Sequence, residues 1–513
     1  MQRPDTNTFE KFKDRKLSEI PFESFLANFK ARMNNALKNL ADVNKMALSR
    51  GMPPPVIREI LSASPLSVGI PARYGGRGGG IDENLALLSE AAYESLSLSL
   101  TLGINTALFL QPVARYAREE VKAPVFSRFL NAEAMGGLMI TEPGFGSDAL
   151  NMQSSYTCRK DKYHLQGTKH WAGLTGLADF WLLTARERGS NDDLRRDIDF
   201  FICDAKMPGQ QIVVEELYEN LGLYQIPYGR NRIDVELPAL QRLVPETTGV
   251  KMMLDLLHRS RMQFPGMGLG FIRRMLDEAA GHAARRKIGR KTLSQYDQVQ
   301  HRLSKMQASY TICSAMCASS STTAGIENDL SAEGFQANSI KSVVTDLMQE
   351  AAQSATQLFG AQAYRLDNIA GRGIVDSRPF QIFEGSNDIL YAQISEGLVK
   401  MMKKAGESNL YRFLKSFSLT ARAAEMLKGP LSFRLKADLP QRKLVELGQV
   451  LGRIVSSEMV IGIGEKGFRK DLVDNALAVL SQEITALIGS FGHENSIRLV
   501  EDYQYGSSWR DLK

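Results

Sequence analysis

Thr141-Glu-Pro-Gly-Phe-Gly-Ser-Asp148 stands where the chain changes its period. Upstream, residues 82–135 repeat apolar side chains at helical spacing, with small and apolar residues mixed through Leu85–Leu102. From about Gly136 to Pro245 short β-branched or aromatic runs take over: Tyr163–Leu165, Phe180–Thr184, Phe200–Cys203, Gln211–Val214 and Ile233–Leu237. Turn signals such as Lys160-Asp161, Gly189-Ser-Asn191 and Met207-Pro-Gly209 separate these runs. The pattern predicts an all-β segment between helical halves, of the size that makes a small barrel. Within the quoted stretch, Gly144 and Gly146 let the backbone approach a ligand closely, and Pro143 fixes the turn.

On the N-terminal side, Phe22, Phe25, Leu26, Phe29 and Met33 predict helix within residues 1–50. Met52-Pro-Pro-Pro55 opens a further helix, Val56 to Ser62, with proline where the first turn tolerates it. On the C-terminal side, residues 247–404 return to helix, and Ile272, Met275, Leu276, Ala279, Ala280 and Ala283 fall on one stripe. Long helices are expected from Tyr296 through Ala324 and from Phe335 to Leu358. Residues 405–513 hold two or three amphipathic helices, marked by Leu444, Leu447, Val450, Leu451, Ile454 and Val455, then Leu472, Ala476, Val479, Leu480, Ile484 and Leu487. The expected fold is α+β and mostly α. Its parts are an N-terminal helical domain (1–135), a middle β-barrel domain (136–246), a helical bundle (247–404) and an added helical extension (405–513) packed on the body.

The 513 residues, 43% hydrophobic and 23% charged, read as an ordinary globular chain of two to four domains. No uninterrupted apolar run has the length to span a bilayer. Met1–Asn7 is polar, and Asp5, Glu10 and Asp14 argue against a transit peptide. Cys158, Cys203, Cys313 and Cys317 show no metal spacing, so packing and a reducing cytoplasm are expected. A net charge of +6 fits an anionic substrate and demands neither nucleic acid nor membrane. Gly75-Gly-Arg-Gly-Gly-Gly80 lacks the strand–helix context of a dinucleotide clamp and reads as a loop.

A second stretch, Phe380-Gln-Ile-Phe-Glu-Gly-Ser-Asn-Asp388, frames one carboxylate with aromatic residues. A solvated glutamate is a poor base for a carbon acid. Desolvation beside Phe380 and Phe383 would raise the basicity of Glu384. Taken together, the order and spacing of the two stretches resemble the segments flanking the active site of acyl-CoA dehydrogenases, over roughly residues 20–404. The resemblance implies FAD, because no side chain accepts a hydride. It also implies α,β-dehydrogenation of an acyl thioester, with Glu384 as the α-proton base.

By that resemblance Thr141 and Ser147 hydrogen-bond flavin, Ser147 also lying near the CoA moiety. Lys169-His-Trp-Ala-Gly-Leu-Thr-Gly176 resembles the family's flavin strand: Trp171 shields one flavin face, while Gly173 replaces the Thr or Ser whose hydroxyl meets flavin N5. Only a backbone contact remains to Gly173, and Leu174 replaces the usual Asn. Arg261 matches the cleft arginine, and Gly385 follows the base in the thioester site. Ser260 stands where some branches carry the base, and it cannot serve. Arg285, in Arg285-Arg-Lys-Ile-Gly289, matches the arginine that reaches a neighbouring subunit's flavin pyrophosphate; Ile288 replaces a phenylalanine there. Gln357 and Gly360 match the turn near the adenosine end of FAD, with Ala361 replacing a glycine. Ser386 and Asp388 fall where relatives set Thr and Gln against the cofactor. Gly103, in Leu100-Thr-Leu-Gly103, resembles the open tunnel floor of very-long-chain members, whose added domain contacts membranes peripherally.

The reading drawn from these residues is an FAD-dependent acyl-CoA dehydrogenase for a long acyl chain, a homodimer or homotetramer passing electrons to an electron-transfer flavoprotein. The alternatives are an acyl-CoA oxidase or an acyl-carrier-protein-linked dehydrogenase. A DNA-binding or scaffold relative is the other class. No phosphate stripe supports it, since Arg442 and Lys443 stand beside Glu446 and Arg453 beside Glu458.

Overall fold

The computed structural model describes residues 16–42, 46, 51–436 and 438–493. Expectations for residues 1–15 and 494–513 lie outside the described residues. The N-terminal region is helical: α1 (Phe22–Asn35), α2 (Pro54–Leu61), α3 (Ile81–Glu94), α4 (Leu96–Asn105), α5 (Gln111–Tyr116) and α6 (Glu119–Leu130). Helix α1 buries Phe25, Phe29 and Met33, four residues apart on one face. Ser95 caps α4 by accepting the Leu98 N–H at 3.2 Å. A π turn, Thr106–Leu110, joins α4 to α5, and all ten residues of α4 are buried.

Seven strands follow: β1 (Gly136–Met139), β2 (Ser155–Arg159), β3 (Lys162–His170), β4 (Phe180–Glu187), β5 (Asp199–Asp204), β6 (Val213–Leu217) and β7 (Gly229–Pro238). They form one sheet in the order β1-β4-β2-β3-β7-β6, with β5 on β4. Strand β7 alternates buried and exposed residues throughout, so Ile233, Val235 and Leu237 face the core. Strands β1 and β2 were not among the runs expected from sequence. Gly136 and Gly137 carry no β propensity; they are needed because a Cβ would sit 2.5 Å from the Phe109 ring and 2.6 Å from the Trp181 ring.

The bundle comprises α7 (Gly249–Arg261), α8 (Phe264–Arg285), α9 (Asp297–Thr323), α10 (Gly334–Phe359), α11 (Ile369–Ser377) and α12 (Asn387–Ala405). Short helices α13 (Leu410–Ser416), α14 (Ala421–Met426) and α15 (Lys428–Leu431) lead to α16 (Gln441–Glu465) and α17 (Lys470–Gly492). Helix α16 lies against α12 so closely that Gly448 leaves no room for a Cβ beside the Tyr391 carbonyl. Ser395 Oγ donates to the Leu444 carbonyl at 2.7 Å across the same seam. Arg453 pairs with Glu483 at 2.9 Å rather than with Glu458, which accepts from Arg422 Nε at 2.6 Å.

By length and composition two helical stretches among the described residues could cross a bilayer, contrary to the sequence expectation: Leu96–Tyr116 and Lys470–Gly492. The first is a buried core element. The second is seated on the bundle through Val473, Ala476, Leu480 and Ile484.

Candidate active site

Glu384 is held in a backbone conformation that side chains avoid. Its φ is +54° and that of Gly385 is +90°, two consecutive left-handed residues. Two cations, both buried, grip this turn. Arg261, the last residue of α7, donates from Nε (3.1 Å) and Nη2 (2.7 Å) to the Glu384 carbonyl. Lys341, on the inner face of α10, donates to the Gly385 carbonyl at 2.8 Å and to Asn387 Oδ1 at 2.9 Å. Asn338 in turn accepts from Arg261 Nη1 at 2.7 Å.

Glu384 Oε1 accepts from Ser260 Oγ at 2.9 Å, while Oε2 is buried without a partner among the described residues. Burial pushes the Glu384 carboxyl above the usual carboxylate range, against the opposing pull of Arg261, Ser260 and Lys341. Burial also lowers Arg261 to about 10 and Lys341 to about 7, despite the Glu384 charge beside each. The wall behind the turn is aromatic: Phe380, Phe383 and Phe264 pack with ring centroids 4.9–6.1 Å apart.

The opposite wall is built by the loop after β1 and the end of β3. His170 N–H donates to the Thr141 carbonyl at 2.9 Å, which sets Thr141 beside Trp171. Trp171 has φ +57° and is 52% exposed, an unusual state for an indole held in a rigid turn. Its ring lies 4.5 Å from Tyr218 and 6.3 Å from Tyr228. A Cβ at Gly173 would meet Ile104 Cδ1 at 2.8 Å and Tyr228 Cε1 at 3.5 Å. Beneath the loop, Lys169 Nζ donates to Glu142 Oε1 at 2.7 Å, and Glu142 also accepts the Gln153 and Ser154 N–H groups at 2.6 and 3.0 Å.

The structure thus joins Arg261, Glu384 and Gly385 in one group and Thr141, Trp171 and Gly173 in another, and Tyr228 links them, touching the Gly173 position and coupled to the Glu384 charge. Ser386 stands at the start of α12 without capping it, Asp388 is exposed in its first turn, and Ser147 is exposed on the loop. Gly103 is filled rather than open: a Cβ there would lie 2.6 Å from Met267 Cε, so this glycine lets α8 pack on α4. Arg285, Gln357 and Gly360 lie elsewhere. Helix α8 runs 22 residues from Phe264 to Arg285, about 30 Å at the helical rise. Arg285 and Gln357 are exposed at the far ends of α8 and α10, where His282 stacks on Phe359 at 4.4 Å.

Sequence reasoning missed Tyr228, Lys341 and the hydrogen bond from Ser260. Only Lys341 left a signal, a lysine on the apolar face of a predicted helix.

Comparison with known proteins bears on this arrangement. Domain models described as acyl-CoA dehydrogenase N-terminal, middle and C-terminal domains match residues 25–133, 137–235 and 247–399, in that order. An acyl-CoA dehydrogenase of Bacillus subtilis (strain 168) is 25% identical over 342 residues, 65% of this chain and 86% of that protein. Butyryl-CoA dehydrogenase from Megasphaera elsdenii superposes with a TM-score of 0.66 at 22% identity, covering 74% of this chain and 98% of its own. An acyl-CoA dehydrogenase complexed with FAD from Bacillus anthracis gives a TM-score of 0.76 at 16% identity, covering 92% of this chain and 88% of its own. That coverage exceeds what residues 1–404 can supply, so the likeness of fold takes in helices of the extension. With three consecutive domains matched over well more than half of its length, the chain belongs to the acyl-CoA dehydrogenase family.

Proposed function

We propose that the protein is an FAD-dependent oxidoreductase that removes two hydrogens from neighbouring carbons of an acyl thioester, with Glu384 as the α-proton base. The observation that carries this reading is the Glu384 carboxyl itself, with one oxygen held by Ser260 and the other buried and unpartnered. A purely structural glutamate would have both oxygens satisfied. The cleft fits a planar ligand: the exposed indole of Trp171 offers a flat face, and Gly144 has nothing within 4 Å of where a Cβ would stand. FAD, when bound, supplies the acceptor for the hydride that leaves the β-carbon.

The chain's own residues do the rest. Arg261 and Lys341 pin the strained Glu384–Gly385 turn, so Oε2 meets the α-carbon from a fixed direction. The Glu384 main-chain N–H polarises the thioester carbonyl, which acidifies the α-proton. Thr141, Ser147, Trp171, the Gly173 main chain, Ser386 and Asp388 line the cofactor side. Arg285 serves the flavin pyrophosphate of a second copy, and Gln357 and Gly360 approach the adenosine end of FAD. Homodimerisation is thus part of the reading, as is an electron-transfer flavoprotein for reoxidation. Met267 over Gly103 gives no support to an open floor for a long acyl chain.

Anaerobic mixing with acyl-CoAs of increasing length, followed by flavin absorbance, tests the proposal. Wild type should bleach and Glu384→Gln should keep FAD while losing at least ~10²-fold in bleaching rate. Unchanged bleaching in that variant would falsify the assignment of the base. Oxygen consumption separates the oxidase reading, and carrier-loaded substrate separates the carrier-protein reading.

A further inference from the structure

Tyr228 is a tyrosine where a phenylalanine would pack equally well. The Trp171 N–H donates to the Gly229 carbonyl at 3.0 Å, and the Thr175 N–H donates to the Pro227 carbonyl at 3.2 Å. These two bonds clamp the 171–175 turn onto residues 227–229, so Gly173, midway between them, faces Tyr228. The absence of a side chain at Gly173 leaves the phenol ring against the turn, with Cε1 3.5 Å from where a Cβ would stand. Burial, joined by the Glu384 charge, raises the Tyr228 phenol well above its ordinary range. The group therefore stays protonated and keeps a proton to donate in a hydrogen bond.

Yet the Tyr228 hydroxyl has no hydrogen-bond partner among the described residues. Its ring meets Trp171 and the Gly173 turn, and its carbonyl accepts from the Tyr218 N–H at 2.8 Å. Tyr228 is half-buried and its hydroxyl is not one of the buried unpaired groups, so a molecule beside Trp171 can reach it.

We propose that the Tyr228 hydroxyl is a ligand-facing donor, and that its acceptor is a carbonyl oxygen or ring nitrogen of the molecule held between Trp171 and Glu384. This rests on the function proposed above, and both the flavin ring and the thioester carry such acceptors. Tyr228 is thereby a binding and positioning residue that sequence comparison of the two signature stretches does not reach.

Tyr228→Phe keeps the ring and removes only the hydroxyl. The full-length apoprotein of the variant should melt no lower than wild type, since no internal bond is lost. If flavin is the acceptor, FAD titration should read an affinity about three- to tenfold weaker and a shifted flavin absorbance band. If the thioester is the acceptor, FAD binding stays unchanged and the acyl-CoA concentration for half-maximal bleaching rises by a similar factor. Either result supports the proposal. A variant that matches wild type in FAD affinity, flavin spectrum and thioester dependence overturns it, whatever its melting temperature. Wild type measured in parallel reads the function itself: no FAD uptake and no bleaching there would sink the dehydrogenase reading, whereas a normal wild type with an identical variant sinks only the role of Tyr228.

Discussion

Ser260 Oγ donates to Oε1 of Glu384 across 2.9 Å, joining the last turn of α7 to the strained turn before α12. The hydroxyl favours the charged carboxylate and so opposes the rise that burial imposes on Glu384. The base works only when deprotonated, so dehydrogenation should increase with pH along an acid limb lying above the ordinary carboxylate range. Ser260→Ala removes a contact that lowers the Glu384 value, and the limb should move further up. At pH values below the limb the rate of flavin bleaching should fall several-fold, while at high pH it should equal wild type. A limb unmoved in the variant would mean that Ser260 does not bear on the base.

Lys341 carries a second pH signature. Its ammonium, lowered by burial to about 7 from 10.5, means the folded protein binds fewer protons than the unfolded chain between those values. Stability should therefore rise with pH across that window, and the contribution is lost as pH falls through about 7. Lys341→Met should flatten this slope in urea unfolding measured from pH 7 to 10. The variant also leaves the Gly385 carbonyl without its donor, at about 1–3 kcal/mol, while Asn387 Oδ1 keeps Thr345 Oγ1 at 3.2 Å. Bleaching by acyl-CoA should slow by roughly 10- to 100-fold as the Glu384 turn loosens. A slope identical to wild type would refute the charge assignment.

The fold was legible wherever one period ran long enough. Helices over residues 297–323 and 334–359 fall within a residue or two of their expected ends, and β7 keeps its alternation from Gly229 to Pro238. What sequence could not reveal are contacts made between distant elements. Strand β1 is half glycine because Phe109 and Trp181 crowd it, which only the packed sheet discloses. At the site, Glu384 stood out through its aromatic frame, whereas Lys341 lies 43 positions earlier and meets the turn only after α10 and α12 pack. Gly103 misled for a related reason. A glycine in a helix is silent about whether its space is empty or occupied, and here Met267 occupies it.

Lys169 and Glu142 form a buried pair under the loop that carries Thr141 and Ser147. Burial lowers Lys169 to about 8, while its ammonium keeps Glu142 below the usual range. Removing one partner leaves an uncompensated charge, which typically costs about 3–5 kcal/mol. Lys169→Met should therefore destabilise the protein strongly and release FAD. Adding Glu142→Gln should recover part of the loss, because the glutamine oxygen still accepts the Gln153 and Ser154 N–H groups without a charge to bury. Chemical unfolding of both variants checks the order; a double variant less stable than Lys169→Met would contradict it.

Gly448 ties the extension to the catalytic turn. A Cβ there would strike the Tyr391 backbone, which cannot yield as a side-chain tip can. Tyr391 donates to Asp346 Oδ2 at 2.7 Å, Asp346 Oδ1 accepts from Asn387 at 2.7 Å, and Asn387 accepts from Lys341, the residue that grips Gly385. Gly448→Ala should thus cost about 1–3 kcal/mol by overpacking, and should also slow bleaching although position 448 touches no ligand. Gly489 on α17 is the control, with nothing within 4 Å of its Cβ position. Gly489→Ala should leave bleaching unchanged and stabilise by up to about 1 kcal/mol through helix propensity. Melting must part in opposite directions, and bleaching must slow in Gly448→Ala alone, if α16 is a working support of the site rather than an appendage.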